Sequence, residues 1–93
     1  GTLYFQKKDH GDLVRKKFTY FAEELRREIQ VDIEEVADDE RSFHRIAQKT
    51  GMEVEEIAKF IREVRPVIYG GRRINAEQMK VLIDKMNEII NHI

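Results

Sequence analysis

Cysteine and tryptophan are missing from this chain of 93 residues, and proline (Pro66) and serine (Ser42) each occur once. Without cysteine there is no disulfide, no iron–sulfur cluster and no thiol nucleophile, and the absence fits a reducing, cytosolic compartment. One proline and five glycines leave few turn formers, which favours helices over a strand-rich fold. No apolar run approaches the roughly 20 residues that cross a bilayer as a helix, and no signal-peptide pattern appears. With one serine, no nucleophile elbow and no glycine-rich phosphate cradle, catalytic machinery is lacking. We therefore expect no enzyme activity and no cofactor.

Metal ligands are also scarce. His10 lies between Asp9 and Asp12, a pair better suited to capping a helix start than to coordination. His44 and His92 have no second ligand three or four residues further on, so no metal site is expected. Asp38-Asp39-Glu40 lacks the alternating acids and central glycine of a calcium loop.

What the chain does have is charge, 38% of its residues, beside 41% hydrophobic residues. The net charge of −1 hides a segregation. Residues 31–40 hold six acids and no base, whereas the two ends of the chain are net basic. The middle should repel nucleic acid, and the ends could approach an anionic surface. The length suits one small domain, which buries about 60–65% of its extended surface.

Apolar spacing predicts an all-α fold, a small antiparallel bundle of four helices. The first helix reads from about Asp12 to Gln30, with Val14, Phe18, Phe21, Leu25 and Ile29 in one stripe. Val31 and Ile33 break its phase. A short second helix reads from about Asp39 to Thr50, and Gly51 suits the left-handed residue that closes many helices. The third runs from about Val54 to Val64 or Arg65, where Pro66 biases the preceding residue away from helical geometry. Val67 to Ile74 is then a connector. A hairpin about Gly70-Gly71 is the less favoured alternative, because an isolated hairpin is marginal. The last helix has the clearest start: Asn75 with Gln78 forms a capping box, and Ile74 with Met79 a hydrophobic staple. Residues 1–11 are then an N-terminal segment and 12–93 a single helical domain.

Within this bundle, residues 43–62 match a helix-turn-helix corner. Ala47 lets two helices cross closely, Gly51 makes the turn, and Ile57, with Met52 and Phe60, supplies apolar packing. That logic specifies a corner and not DNA. The first turns of the second helix offer Glu53, Glu55 and Glu56 against Lys59 alone, and glutamates facing phosphate are repelled. Nucleic-acid binding through this corner is the alternative functional reading. A second exposed feature is Tyr69-Gly70-Gly71-Arg72-Arg73 beside a helix start. Tyr69, Arg72 and Arg73 are candidate contacts for a partner. Helix four's stripe is wide and Val81 lies off its centre, so self-association through left-over apolar surface is a further expectation.

The N-terminal run Leu3-Tyr4-Phe5-Gln6-Lys7-Lys8 places two aromatics just before two lysines, the pattern of a chain leaving a membrane on its cytoplasmic side. A blander reading is a protease-tag remnant ending in Leu-Tyr-Phe-Gln, which Lys7 fits poorly because the tag continues with a small residue. Tyr4, Phe5, Lys7 and Lys8 are therefore candidate membrane-proximal residues, with Arg15, Lys16 and Lys17 extending the basic collar.

Residues 1–10 (GTLYFQKKDH), residues 16–21 (KKFTYF) and residues 50–57 (TGMEVEEI) together resemble the cytosolic C-terminal helical tail of a family of bacterial, Bacteroidetes-like, membrane-anchored proteins of unassigned function. Genes of that family are often found beside MoxR-type AAA ATPases. The resemblance implies a helical domain at the cytoplasmic face of the inner membrane with a cytosolic protein partner, such an AAA ATPase being one candidate, and it brings no catalytic residues. The expected function is a non-enzymatic interaction or regulatory module.

Overall fold

The computed structural model describes residues 10–34, 37 and 39–93. They form four helices: α1 His10–Ile29, α2 Asp39–Thr50, α3 Val54–Ile68 and α4 Ala76–His92. No strand occurs among the described residues, so the Gly70-Gly71 segment is an irregular connector and not a hairpin. α1 packs on α4 and α3, and α2 packs chiefly on α3, which encloses one core.

That core follows the stripes in the sequence. Val14, Leu25, Ile46, Ile57, Ile61, Val64 and Ile89 are fully buried. Phe21 joins two helices, its ring 5.7 Å from Phe18 in α1 and 5.8 Å from Phe60 in α3, the latter edge-to-face. Met52, Ile74, Met79, Ile83, Ile90 and Ile93 are partly buried against this cluster.

The helix ends show how local chemistry sets the boundaries. α1 begins at His10 and so takes in Gly11, which is buried in its first turn. It ends at Ile29 because Gln30 turns left-handed (φ 57) and its N–H closes on the Arg26 carbonyl at 3.1 Å. The Val31 N–H then reaches back to the Leu25 carbonyl at 3.2 Å, and this turn drives Val31 and Ile33 into the core at 4% and 1% exposure. α2 closes in the same way at Gly51, φ 78, whose N–H meets the Ala47 carbonyl at 2.8 Å. Buried Thr50 donates to the Ile46 carbonyl and accepts from the Met52 N–H, stitching the corner. At α4 the capping box is complete: Gln78 N–H to Asn75 Oδ1 at 2.7 Å, and Asn75 N–H to Gln78 Oε1 at 3.0 Å.

Two boundaries differ from the expectation: α1 starts at His10, two residues before Asp12, and α3 runs on past Arg65. α3 does not stop before Pro66 but carries it in its last turn and ends at Ile68. Proline removes the bond that its own N–H would give to the Arg62 carbonyl and its ring crowds that oxygen, a cost the helix bears here. In return Val67 is buried at 2% and Ile68 packs on the core. The burial of these two side chains outweighs the local bias of one proline.

Candidate functional site

Charge is where the structure rearranges the sequence picture most. The acidic run at 31–40 reads as a free surface, but three of its acids, Asp32, Glu34 and Asp39, pair with arginines of the bundle. Arg65 of α3 holds Asp39 at the start of α2 with two bonds of 2.7 Å, and one of its nitrogens also reaches the Ile33 carbonyl at 3.0 Å. Both side chains of this pair are largely shielded, at 17% and 25% exposure. The Arg65 hydrogen bonds and charge hold the Asp39 carboxyl below its ordinary range, against the opposing effect of burial. Asp39 raises the Arg65 pKa in turn. Arg45 of α2 donates to the Ile29 carbonyl at the end of α1, at 3.1 Å. Arg26 takes Glu34 at 3.3 Å and Asp32 at 3.9 Å, and the Asp32 carboxylate accepts from the Glu34 N–H. The junction between α1 and α2 is thus pinned by three arginines from three helices. Glu35 and Asp38 lie outside the described residues.

The α3–α4 connector, which follows Arg65 along α3, has a different character. A groove of about 540 Å³ runs between the end of α3, the 69–75 connector and the start of α4. Val67, Ile74, Val81 and Leu82 give it an apolar wall, and Glu63, Arg72 and Glu77 stand around it. Val81 is 59% exposed, the off-centre position its place in the stripe suggests. Glu63, Arg72 and Glu77 form no ion pair with a described residue, so their charges are not spent on the fold. Of the three candidate contact residues, Arg72 lines this groove. Tyr69 (63% exposed) and Arg73 stand exposed on the same connector, outside the groove's lining. The roles of Glu63 and Glu77 were not visible in the sequence, since only the packing of α3 beside α4 brings them together.

The helix-turn-helix corner is present as geometry. Ala47 and Met52 pack on the core, Gly51 turns, and Ile57 and Phe60 are buried. On the outer side of α3, Glu53 and Glu55 are exposed, while Glu56 is taken by Lys85 of α4 at 2.5 Å. That bond, more than any other influence, raises the Lys85 pKa. Lys59 and Arg62 are the exposed cations of this helix. The corner therefore presents mixed charge to solvent.

The remaining candidates sort quickly. Ser42 is buried at 5% exposure. His44 and His92 each bond through Nδ1 to the backbone carbonyl four residues earlier, as surface helix residues. Among the described residues no group of three His, Cys, Asp or Glu side chains converges on a metal position. Every buried side-chain nitrogen and oxygen described has a hydrogen-bond partner. No described helix is long and apolar enough to cross a membrane. Arg15 and Lys16 share Asp12, at 3.2 and 3.5 Å, whereas Lys17 makes no ion pair with a described residue. Tyr4, Phe5, Lys7 and Lys8 lie outside the described residues.

Comparison with protein families matches residues 1–93, the whole chain, to the DUF4350 C-terminal helical domain. The chain belongs to that family. No curated protein and no solved structure matches it. The family is one of helical domains without an assigned function, in keeping with the four-helix bundle, and it transfers no site residue to this domain.

Proposed function

We propose that the domain is a non-enzymatic interaction module of a membrane-anchored bacterial protein, working at the cytoplasmic face of the inner membrane. The observation that carries this reading is the α3–α4 groove, a hollow of mixed lining in which an apolar wall with Val81 open to solvent stands among Asn75, Gln78 and three charges that make no ion pair with a described residue. A concave apolar wall beside exposed aromatic and arginine side chains is the chemistry of a protein contact, and Tyr69, Arg72 and Arg73 supply those side chains. The family's description as a C-terminal domain fits a module that follows other parts of a longer chain. The aromatic-then-basic run at Leu3 to Lys8 supports a membrane exit just before the bundle. The partner that the sequence resemblance suggests is an AAA ATPase.

The test uses the full-length parent protein with a tag after Ile93. Protease added outside spheroplasts leaves the tag intact, and loss of the tag under those conditions overturns the assignment. In the same cells the neighbouring ATPase copurifies with the parent, and Val81→Glu abolishes the copurification. Persistence with Val81→Glu removes the groove from the reading.

The second reading, nucleic-acid binding, draws support from the α2–α3 corner alone. It requires a complex that strengthens steeply as salt falls. With Glu53 and Glu55 exposed on the helix that would enter the groove, we expect no shifted band at any salt concentration.

A further inference from the structure

A separate surface, on another side of α4 from the first groove, runs along α1 and α4. It is a hollow of about 220 Å³ lined by Lys17, Tyr20 and Glu24 of α1 and by Ile83, Met86 and Ile90 of α4, among others. Tyr20 is 75% exposed, the most open of the large hydrophobic side chains described. Ile83 and Ile90 are only partly covered. On α1, Leu13 (43% exposed) lies seven residues before Tyr20, and Lys17 seven before Glu24, so each pair falls on one side of the helix. On α4, Ile83 and Ile90 repeat at the same interval. The partly covered isoleucines of α4 thus stand in line beside Tyr20 of α1, and the face they form is open to solvent.

The charges on this face decide what fits it. Lys17 lies one turn before Tyr20 and has no ion-pair partner among the described residues. Glu24 lies one turn after Tyr20, and Arg27 fixes its carboxylate at 2.5 Å. A surface with a cation on one side of an aromatic and an anion on the other is complementary to itself under a two-fold rotation. Rotation about an axis beside Tyr20 sets two α1 helices antiparallel. Lys17 of each copy then faces Glu24 of the other, on both sides of a central pair of tyrosines. A non-self partner would need this alternation supplied separately; a second copy has it already.

We propose that the domain forms a two-fold symmetric dimer through the α1–α4 face. Tyr20 is the central anchor, in contact with the Ile83 and Ile90 wall of the opposite copy, and reciprocal Lys17–Glu24 pairs fix the register. Aromatic residues at the centre of an interface carry a large share of its affinity, and flanking charges set which partner and which register are accepted. The surface is distinct from the α3–α4 groove, so a dimer leaves that groove open to a different protein.

The experiment is sedimentation equilibrium of the 93-residue chain over a range of concentrations. The expected mass is twice the chain's 11.1 kDa, and a chain that stays at 11.1 kDa throughout overturns the proposal. Tyr20→Asp should return the mass to that of one chain with an unchanged helical circular dichroism spectrum. The open position of Tyr20 makes misfolding an avoidable complication, and Tyr20→Ser serves as a second, uncharged variant. Lys17→Glu alone and Glu24→Lys alone should each weaken the dimer by about ten-fold or more, since each puts like charges opposite one another twice. Mixed in equal amounts, these two variants should recover the dimer, because each then supplies the charge that the other lacks. A dimer that survives Tyr20→Asp, or two charge variants that do not complement one another, overturns the assigned face and register.

Discussion

Residues 30–38 join α1 to α2, and residues 69–75 join α3 to α4; the two connectors are similar in length and opposite in behaviour. The first is acidic in sequence, and its Val31 and Ile33, both in the core, anchor it to the bundle. The Ile33 carbonyl accepts from Arg65, and the same arginine grips Asp39 just past the connector's far end. The second is basic, and Tyr69, Arg72 and Arg73 all face solvent. Charge density in the sequence therefore says little about availability. The acidic run looks like a free surface, yet its Asp32, Glu34 and Asp39 are held by arginines of the bundle, while the quieter stretch with two glycines leaves Arg72 and Arg73 without an ion pair to a described residue. An ion pair that is shielded and bidentate orders a connector; charges without partners leave it open for contacts with other molecules.

The contrast can be broken most directly at the apolar residue in each connector. Ile33→Ala should cost about 3 kcal/mol, because a fully buried side chain leaves a cavity. Ile74→Ala, partly covered at the groove, should cost about 1 kcal/mol. Urea unfolding followed by circular dichroism gives both. Equal losses would mean that the fold holds both connectors with the same strength.

The next largest effect is expected at the arginines. Arg65→Ala should lower stability by about 2 kcal/mol, since it strips three hydrogen bonds and leaves Asp39 shielded without a counter-charge. Arg72→Ala should stay within about 0.5 kcal/mol of the parent. The Asp39–Arg65 pair also predicts a pH dependence. The folded carboxyl titrates below the ordinary 3.8, so its contribution is complete above that value and is lost as pH falls through the lower, folded value. Asp39→Asn should remove that component, so that urea midpoints measured from pH 6 to pH 2 fall less steeply for the variant than for the parent.

The smallest effects concern the left-handed residue that each connector contains. Gly71 sits at φ 70 with nothing within 4 Å of an added Cβ, so Gly71→Ala should cost about 1 kcal/mol through the backbone alone. Gln30 occupies the same region at φ 57, and Gln30→Gly should raise the thermal midpoint by a few degrees, on the order of 0.5–1 kcal/mol. A Gln30→Gly chain that melts earlier would mean that the Gln30 side chain contributes more than its backbone costs.

Much of the fold was legible because its signals are local. The Asn75–Gln78 capping box, the Gly51 turn and the stripes of α1 and α4 each lie within a few residues, and the structure has them where the spacing puts them. Pro66 was misleading for the same reason. A rule about the residue before proline is local, whereas the burial of Val67 that carries α3 onward depends on the rest of the bundle. The Arg65–Asp39 clamp joins residues 26 apart and had no signature in the sequence. At the candidate site, Tyr69, Arg72 and Arg73 could be chosen as exposed, but the groove beside them is a shape made by two packed helices. Arg72, chosen as a contact, and Val81, noted as left-over apolar surface, both line it, and nothing in the sequence joined the two.

Pro66 has a consequence for motion as well as for shape. Its carbonyl oxygen accepts from two amides, the Gly70 N–H at 2.9 Å and the Arg72 N–H at 3.0 Å. The last turn of α3 and the loop that carries the arginines therefore share a single latch. A fluctuation that lifts that oxygen frees both amides together, so that residues 70 and 72 exchange with solvent on one clock, while Gly71 between them keeps its own. Through that one oxygen Arg72 is tied to the last turn of α3, so a partner that held Arg72 would be holding a residue already bonded to the end of the helix.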